Sequence, residues 1–347
     1  MPTPIPEPVL QDRFRAAVLG LAVGDALGLP LKGLPASAAA QVPEVGEDFS
    51  PRPLGRYKKG QFTAHTQLML AAAESAVAVG RVDGRSMASQ VVWTWHEKVL
   101  LLPAAPVVQA AERLVNGAPW MAAGAPLGVA DASVLSRALV PGLLSGDDPV
   151  RLAHDAGMLA VVTHKEPRAA AAAAAVARAV ALSLSGRRWS PEAFCSEVAV
   201  AAGVHDGALA DEVRHLPRVL GWEVPRALEL LRRVAVPAPL LKGTEGLPGH
   251  VSPVLLVALY AALKAPDDFV TAQRVVLRCG GDADAAAALC GALVGARHGL
   301  EVIPTRLRRG VVFSEHLLDV ADRLFAVAQR ARRAPAFATA RAGVQRR

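Results

Sequence analysis

Along most of this chain the apolar residues return at helical rather than strand spacing. Phe14, Val18, Leu21 and Ala22 share one face of a helix predicted over residues 11–26. Leu68, Leu70 and Ala73 repeat the pattern behind a Thr63 or Thr66 cap. Trp93, Trp95 and residues 100–102 are assigned to the core of the next helices, with Pro103 and Pro106 as breaks. An alanine run over 169–181, an apolar stretch over 254–263 and a mixed segment over 314–330 predict three more helices, and residues 190–237 add others anchored by Trp189 and Trp222. The proline-rich segment 35–53 and the glycine-rich segment 243–249 read as loops. The expected fold class is all-α, a compact multi-helix domain over residues 11–330, between an extended proline-rich arm at 1–10 and a basic, mobile tail at 331–347.

Composition supports that expectation. Of 347 residues, 52% are hydrophobic but only 4% are aromatic, so the interior must be built from Ala, Val and Leu, which suit close helix packing. Cys195, Cys279 and Cys290 form no Cys-x-x-Cys pair and read as buried thiols in a reducing bacterial cytoplasm. The N-terminus lacks the apolar core of a signal peptide, and Arg178 and Arg297 interrupt the longest apolar runs, so a soluble protein with no membrane association is expected. The net charge of +7 comes largely from arginines toward the C-terminus. With few aromatics between them for base stacking, they read as a solvated helix face rather than a nucleic-acid site.

Candidate chemistry gathers in two glycine-marked stretches. Gly20, Gly24 and Gly28 recur every four residues in the first helix, which permits another helix to approach closely. Near the other end, Gly280-Gly281-Asp282-Ala283-Asp284 opens an alanine-rich helix that carries Gly291 and Gly295. Two carboxylates at a helix N-terminus are favoured by the helix dipole and can hold a hard cation; simple capping is the competing reading.

These stretches, with the closing Gly299-Leu300-Glu301-Val302-Ile303-Pro304 and the opening run from Leu19 to Pro30, resemble the signatures of the ADP-ribosylglycohydrolase family over residues 11–330. The resemblance implies a compact all-α domain and a two-magnesium centre that hydrolyses an N- or O-glycosidic bond of ADP-ribose. It also implies ligand-binding roles for Thr63, Ser133, Arg137, His164, Gly249 and His250, with His164 in a Thr-His motif beside ribose and phosphates. The match departs at the chemistry. Lys32 stands where the family carries glutamate, and Thr63-Ala64-His65-Thr66 stands for Thr-Asp-Asp-Thr. Ala283 and Ala285 replace two threonines, leaving Asp282 and Asp284 as residual metal ligands, and Asp131-Ala132 replaces the Asn-Gly of a phosphate loop.

Magnesium demands near-octahedral oxygen coordination, which a methyl group or an imidazole does not supply. The expectation is therefore a pseudoenzyme or binding module for ADP-ribose or a related nucleotide, or a scaffold for a protein partner. No cofactor beyond residual magnesium is expected. The charge reversal further predicts that the Lys32 ammonium pairs with Asp282 and Asp284. One alternative is an active hydrolase using one metal or none, with His65 as acid or base. A more distant one rests on His154-Asp155 and His205-Asp206, dyads that resemble those of helical His-Asp metal phosphohydrolases.

Overall fold

The computed structural model describes residues 5–42, 46–50, 57–146 and 148–333. Seven helices frame the molecule: α1 (Glu7–Gly28), α2 (Ala64–Val79), α3 (Pro149–Val161), α4 (Pro167–Leu184), α5 (Val251–Lys264), α6 (Ala283–His298) and α7 (Ser314–Arg333). Shorter helices fill the intervals, and among the described residues the β pairing is confined to isolated bridges. The fold is all-α, as the periodicity predicts.

The ends differ from the expected boundaries. α1 starts at Glu7, so residues 7–10 are helical rather than an extended arm; Pro8 lies in the first turn, where a missing N–H breaks no helical bond. α7 continues to Arg333. Residues 1–4 and 334–347, the rest of the expected arm and tail, lie outside the described residues.

The centre is the antiparallel pair α1 and α6. A Cβ added at Gly20 would lie 2.3 Å from the Gly291 carbonyl oxygen, one at Gly24 2.0 Å from that of Ala287, and one at Gly28 2.2 Å from Cα of Asp284. The four-residue glycine spacing therefore places backbone directly against backbone. Each glycine costs a helix about 1 kcal/mol relative to alanine, and close packing offsets that cost. The functional consequence is positional, because the C-terminal end of α1 is pressed against the first turn of α6.

Around this pair, α4 contributes a buried alanine face, α5 is buried over most of its length, and Phe14 meets Phe325 of α7 edge-on at 5.3 Å. Trp93 and Leu102, expected in the core, are exposed. Segments Glu7–Leu31 and Pro167–Leu184 are, against expectation, long and apolar enough to cross a membrane by length and composition. Their apolar windows are 89% and 72% buried inside the protein, so that surface is already used in packing.

Candidate functional site

Gly280 and Gly281 both have φ of +58°, a conformation that glycine tolerates and that turns the chain sharply into α6. The turn is laced to two other loops: Gly281 N–H donates to Leu34 O at 2.8 Å, Gly33 N–H to Gly281 O at 2.9 Å, and Asp282 N–H to Leu247 O at 2.9 Å. This lacing brings Lys32 over the first turn of α6. Its ammonium donates to Asp282 Oδ1 at 3.1 Å and to Asp284 Oδ1 and Oδ2 at 3.0 and 2.9 Å. Burial would lower the lysine pKa, but the charges of Asp284 and Asp282 overcome it and hold Lys32 above its ordinary value. Asp284 is fully buried; burial pushes its carboxyl upward, and Lys32 and then His65 pull it below the usual carboxylate range. The ion pairing that the charge reversal predicts is present.

Asp25 was not singled out by sequence reading. Its fully buried carboxylate accepts from Thr63 N and Oγ1 at 3.0 and 2.8 Å and from Thr66 N and Oγ1 at 3.0 and 2.7 Å, tying α1 to the start of α2. A charged residue inside an apolar, glycine-spaced helix is the signal that could have found it, since buried charges must be paired or hydrogen-bonded. Thr63 also caps α2, accepting from His65 N–H at 3.3 Å. Its hydroxyl is thus engaged within the protein and does not line the cleft. His65 places Nε2 3.8 Å from Asp284 Oδ2, while Ala64, Ala283 and Ala285 are buried.

Above the carboxylates opens a cleft of about 750 Å³, whose lining includes Asp131, Glu245, Gly249, His250 and Asp282. Gly249 and His250 both line it. The His250 Nδ1 accepts from Ser252 N–H at 3.3 Å, and burial with nearby Arg168 pushes its pKa down to about 4. Ser133, Arg137 and His164 are buried behind the wall. Arg137 donates to Thr163 Oγ1, which lies 2.7 Å from His164 Nδ1. Burial lowers the guanidinium to about 10, and burial together with Arg137 lowers His164 to about 3, so its ring is neutral.

The His-Asp dyads are not assembled into a centre. His154 is exposed and 3.7 Å from Asp155, which accepts from Ser145 Oγ at 2.8 Å. His205 contacts Ala153 O at 3.3 Å, and Asp206 caps a helix and pairs with Arg168 at 3.1 Å.

The profile of the ADP-ribosylglycohydrolase family matches residues 6–334, and the chain belongs to that family. It is 29% identical to an uncharacterised protein of Archaeoglobus fulgidus over 91% of this chain and 97% of that one. It is 24% identical to the ADP-ribosylarginine hydrolase Tri1 of Serratia proteamaculans, over 94% of this chain and 82% of that protein. A solved structure described as an ADP-ribosylglycohydrolase-related protein complex superposes with a TM-score of 0.71 at 28% identity, covering 92% of this chain and 99% of that one.

A two-magnesium centre does not fit the residues present. Among the described residues no group of three or more His, Cys, Asp or Glu side chains is arranged to hold a metal ion. Asp282 and Asp284 already bind an ammonium, and the oxygens of Asp25 are taken by Thr63 and Thr66. Removing a cation between two carboxylates and replacing it with a divalent ion would require Lys32 to leave the site.

Proposed function

We propose that this chain is a recognition module of the ADP-ribosylglycohydrolase family that binds ADP-ribose or a related nucleotide without two-magnesium hydrolysis. The observation that carries the reading is the Lys32 ammonium within hydrogen-bonding distance of both Asp282 and Asp284. A tethered monovalent cation neutralises the carboxylates but offers no Lewis-acid coordination sphere and no metal-bound water. The 750 Å³ cleft is large enough for a nucleotide-sized ligand. An active hydrolase with His65 as acid or base receives less support, because the nearest charged partner of its Nε2 is the buried Asp284 rather than a group in the cleft.

Calorimetric titration with ADP-ribose, in magnesium and again in a chelator, tests the reading. The expected result is binding that is equal in both, with no release of arginine from ADP-ribosylarginine, the substrate in the name of the Serratia relative. Binding that needs magnesium, or turnover of that substrate, would overturn it.

A further inference from the structure

One stretch of the cleft's rim is tied only to itself. Among the described residues, every hydrogen bond of residues 236–244 ends within residues 233–245, including Leu240 N–H to Pro237 O and Thr244 Oγ1 to Leu240 O, each at 2.9 Å. Its single helical turn, Ala238–Leu241, buries no residue. A cavity of about 50 Å³ is lined jointly by Leu241 and Thr244 of this stretch and by Arg232 and Pro248 of the adjoining chain. Leu240, Gly243 and Thr244 nevertheless line the 750 Å³ cleft, and Leu240 is 51% exposed. An apolar side chain at the cleft thus still faces water.

The ends of the stretch are backbone turns. Ala235 has φ of +52°, a left-handed conformation that a Cβ disfavours, and Gly243 has φ of +72° with open space where a Cβ would stand. Between them Pro237 and Pro239 fix their own φ, and the helical turn completes a short stiff piece. A stiff piece between two such turns can move as a unit, because hinge positions absorb the change in φ and ψ. Beyond Thr244 the chain is fixed again. The Glu245 carbonyl accepts from Ala36 N–H at 3.1 Å and from Arg232 Nη1 at 2.9 Å.

Elsewhere the cleft is lined by Leu34 and Pro35 and by Ala105, Pro106 and Gln109 of the helix Ala105–Val115. No Phe, Tyr or Trp is among the described lining residues, so a ring system entering the cleft meets aliphatic side chains. The faces of a nucleobase are apolar enough to be held by burial, and burial is completed when a hinged wall follows the ligand inward.

We propose that residues 236–244 are a strap that closes over the bound nucleotide, with Leu240 as its contact on the base and Ala235 and Gly243 as its hinges. This inference deepens the recognition reading above and rests on it. Closure moves Leu240 from water onto the ligand, so the closed form is favoured only when a base is present.

Two measurements on the full chain test it. Glu112→Cys and Lys242→Cys in one protein carry spin labels, while the three native cysteines are buried and stay unlabelled. The distance between the labels is expected to shorten with ADP-ribose and to stay unchanged with ribose 5-phosphate, which has no base. In calorimetric titration with ADP-ribose, Leu240→Ser is expected to bind at least tenfold more weakly than the parent. Leu230→Ser, at an exposed leucine outside the cleft lining, is expected to change binding by less than twofold. An unchanged label distance in a protein that binds ADP-ribose, shortening with ribose 5-phosphate, or parent-like affinity of Leu240→Ser overturns the strap and leaves the recognition reading standing. A parent that does not bind ADP-ribose overturns both.

Discussion

A half-buried lysine and a fully buried arginine flank the same cleft, and the fold treats them in opposite ways. Lys32, at the cleft floor, is held by three short contacts to two carboxylates. Arg137, behind the wall, is fully buried but contacts a hydroxyl, and two of its nitrogens have no partner. The first charge is neutralised locally, so the floor is electrically closed. The second is balanced at a distance through Asp131, and that leaves hydrogen-bonding capacity in the wall. Burial alone therefore does not say what a charged residue contributes; its nearest partners do.

The largest expected effect comes from breaking the closed cluster. Lys32→Met leaves the fully buried Asp284 carboxylate without its cation beside the partly exposed Asp282 and is expected to cost about 3–5 kcal/mol in urea unfolding at neutral pH. Adding Asp282→Asn and Asp284→Asn to Lys32→Met should recover most of that loss. A Lys32→Met protein as stable as the parent would dissolve the contrast.

Acid separates the two regions next. His164 has a folded-state pKa of about 3, well below the ordinary histidine value near 6.5, because burial and Arg137 disfavour its charged form. The unfolded chain then binds the proton that the folded chain refuses, so stability falls as pH drops below about 6.5 and keeps falling to about 3. At pH 5 the loss from this residue is about 2 kcal/mol, and His164→Gln should remove that part of the slope. Lys32 behaves oppositely. Its raised folded-state pKa gives stability that is fully present below the unfolded value near 10.4 and is lost only as pH rises through the higher folded value, so it contributes no slope between pH 5 and 7.

Arg137→Met sharpens the comparison from the other side. It removes a fully buried charge that has no carboxylate contact, and the expected change is within about 1 kcal/mol in either direction despite complete burial. A loss as large as that of Lys32→Met would mean that the two cations are held equally tightly. The smallest effect is reserved for a pair near the surface. Arg323 donates to Glu74 from a partly exposed position, and Arg323→Ala should cost about 0.2–1 kcal/mol in the same unfolding measurement, less at high salt.

Much of the fold is legible in the sequence because its signals are local. Helical spacing of apolar residues, the alanine run of α4 and the Gly20, Gly24, Gly28 ladder all announce buried helices that pack closely. The cluster of Lys32 with Asp282 and Asp284 is legible for another reason: a reversed charge in an acidic setting has few stable partners other than those acids. Asp25 escapes this reasoning because its donors come from a different helix. Thr63 misleads for the same reason, since one hydroxyl can cap a helix, bind a ligand or serve a buried carboxylate, and local sequence does not rank these uses. Trp93 looks like core by residue type, yet it falls on the outward side of its helix. The start of α1 is misjudged because prolines suggest extended chain, while a proline in the first helical turn is compatible with helix.

By itself, then, the sequence determined the all-helical class, the glycine-spaced contact surface and the opposite charges of Lys32 and the Asp282, Asp284 pair. These follow from side-chain chemistry and from periodicities of a few residues. Tertiary structure alone decided which helix meets the glycine ladder, that Asp25 serves Thr63 and Thr66, and that Asp131 and Asp282 converge beside Gly249. Those outcomes depend on segments that are well separated in sequence, from Asp25 with Thr63 to Gly20 with Gly291, meeting in space, and no local pattern encodes that meeting.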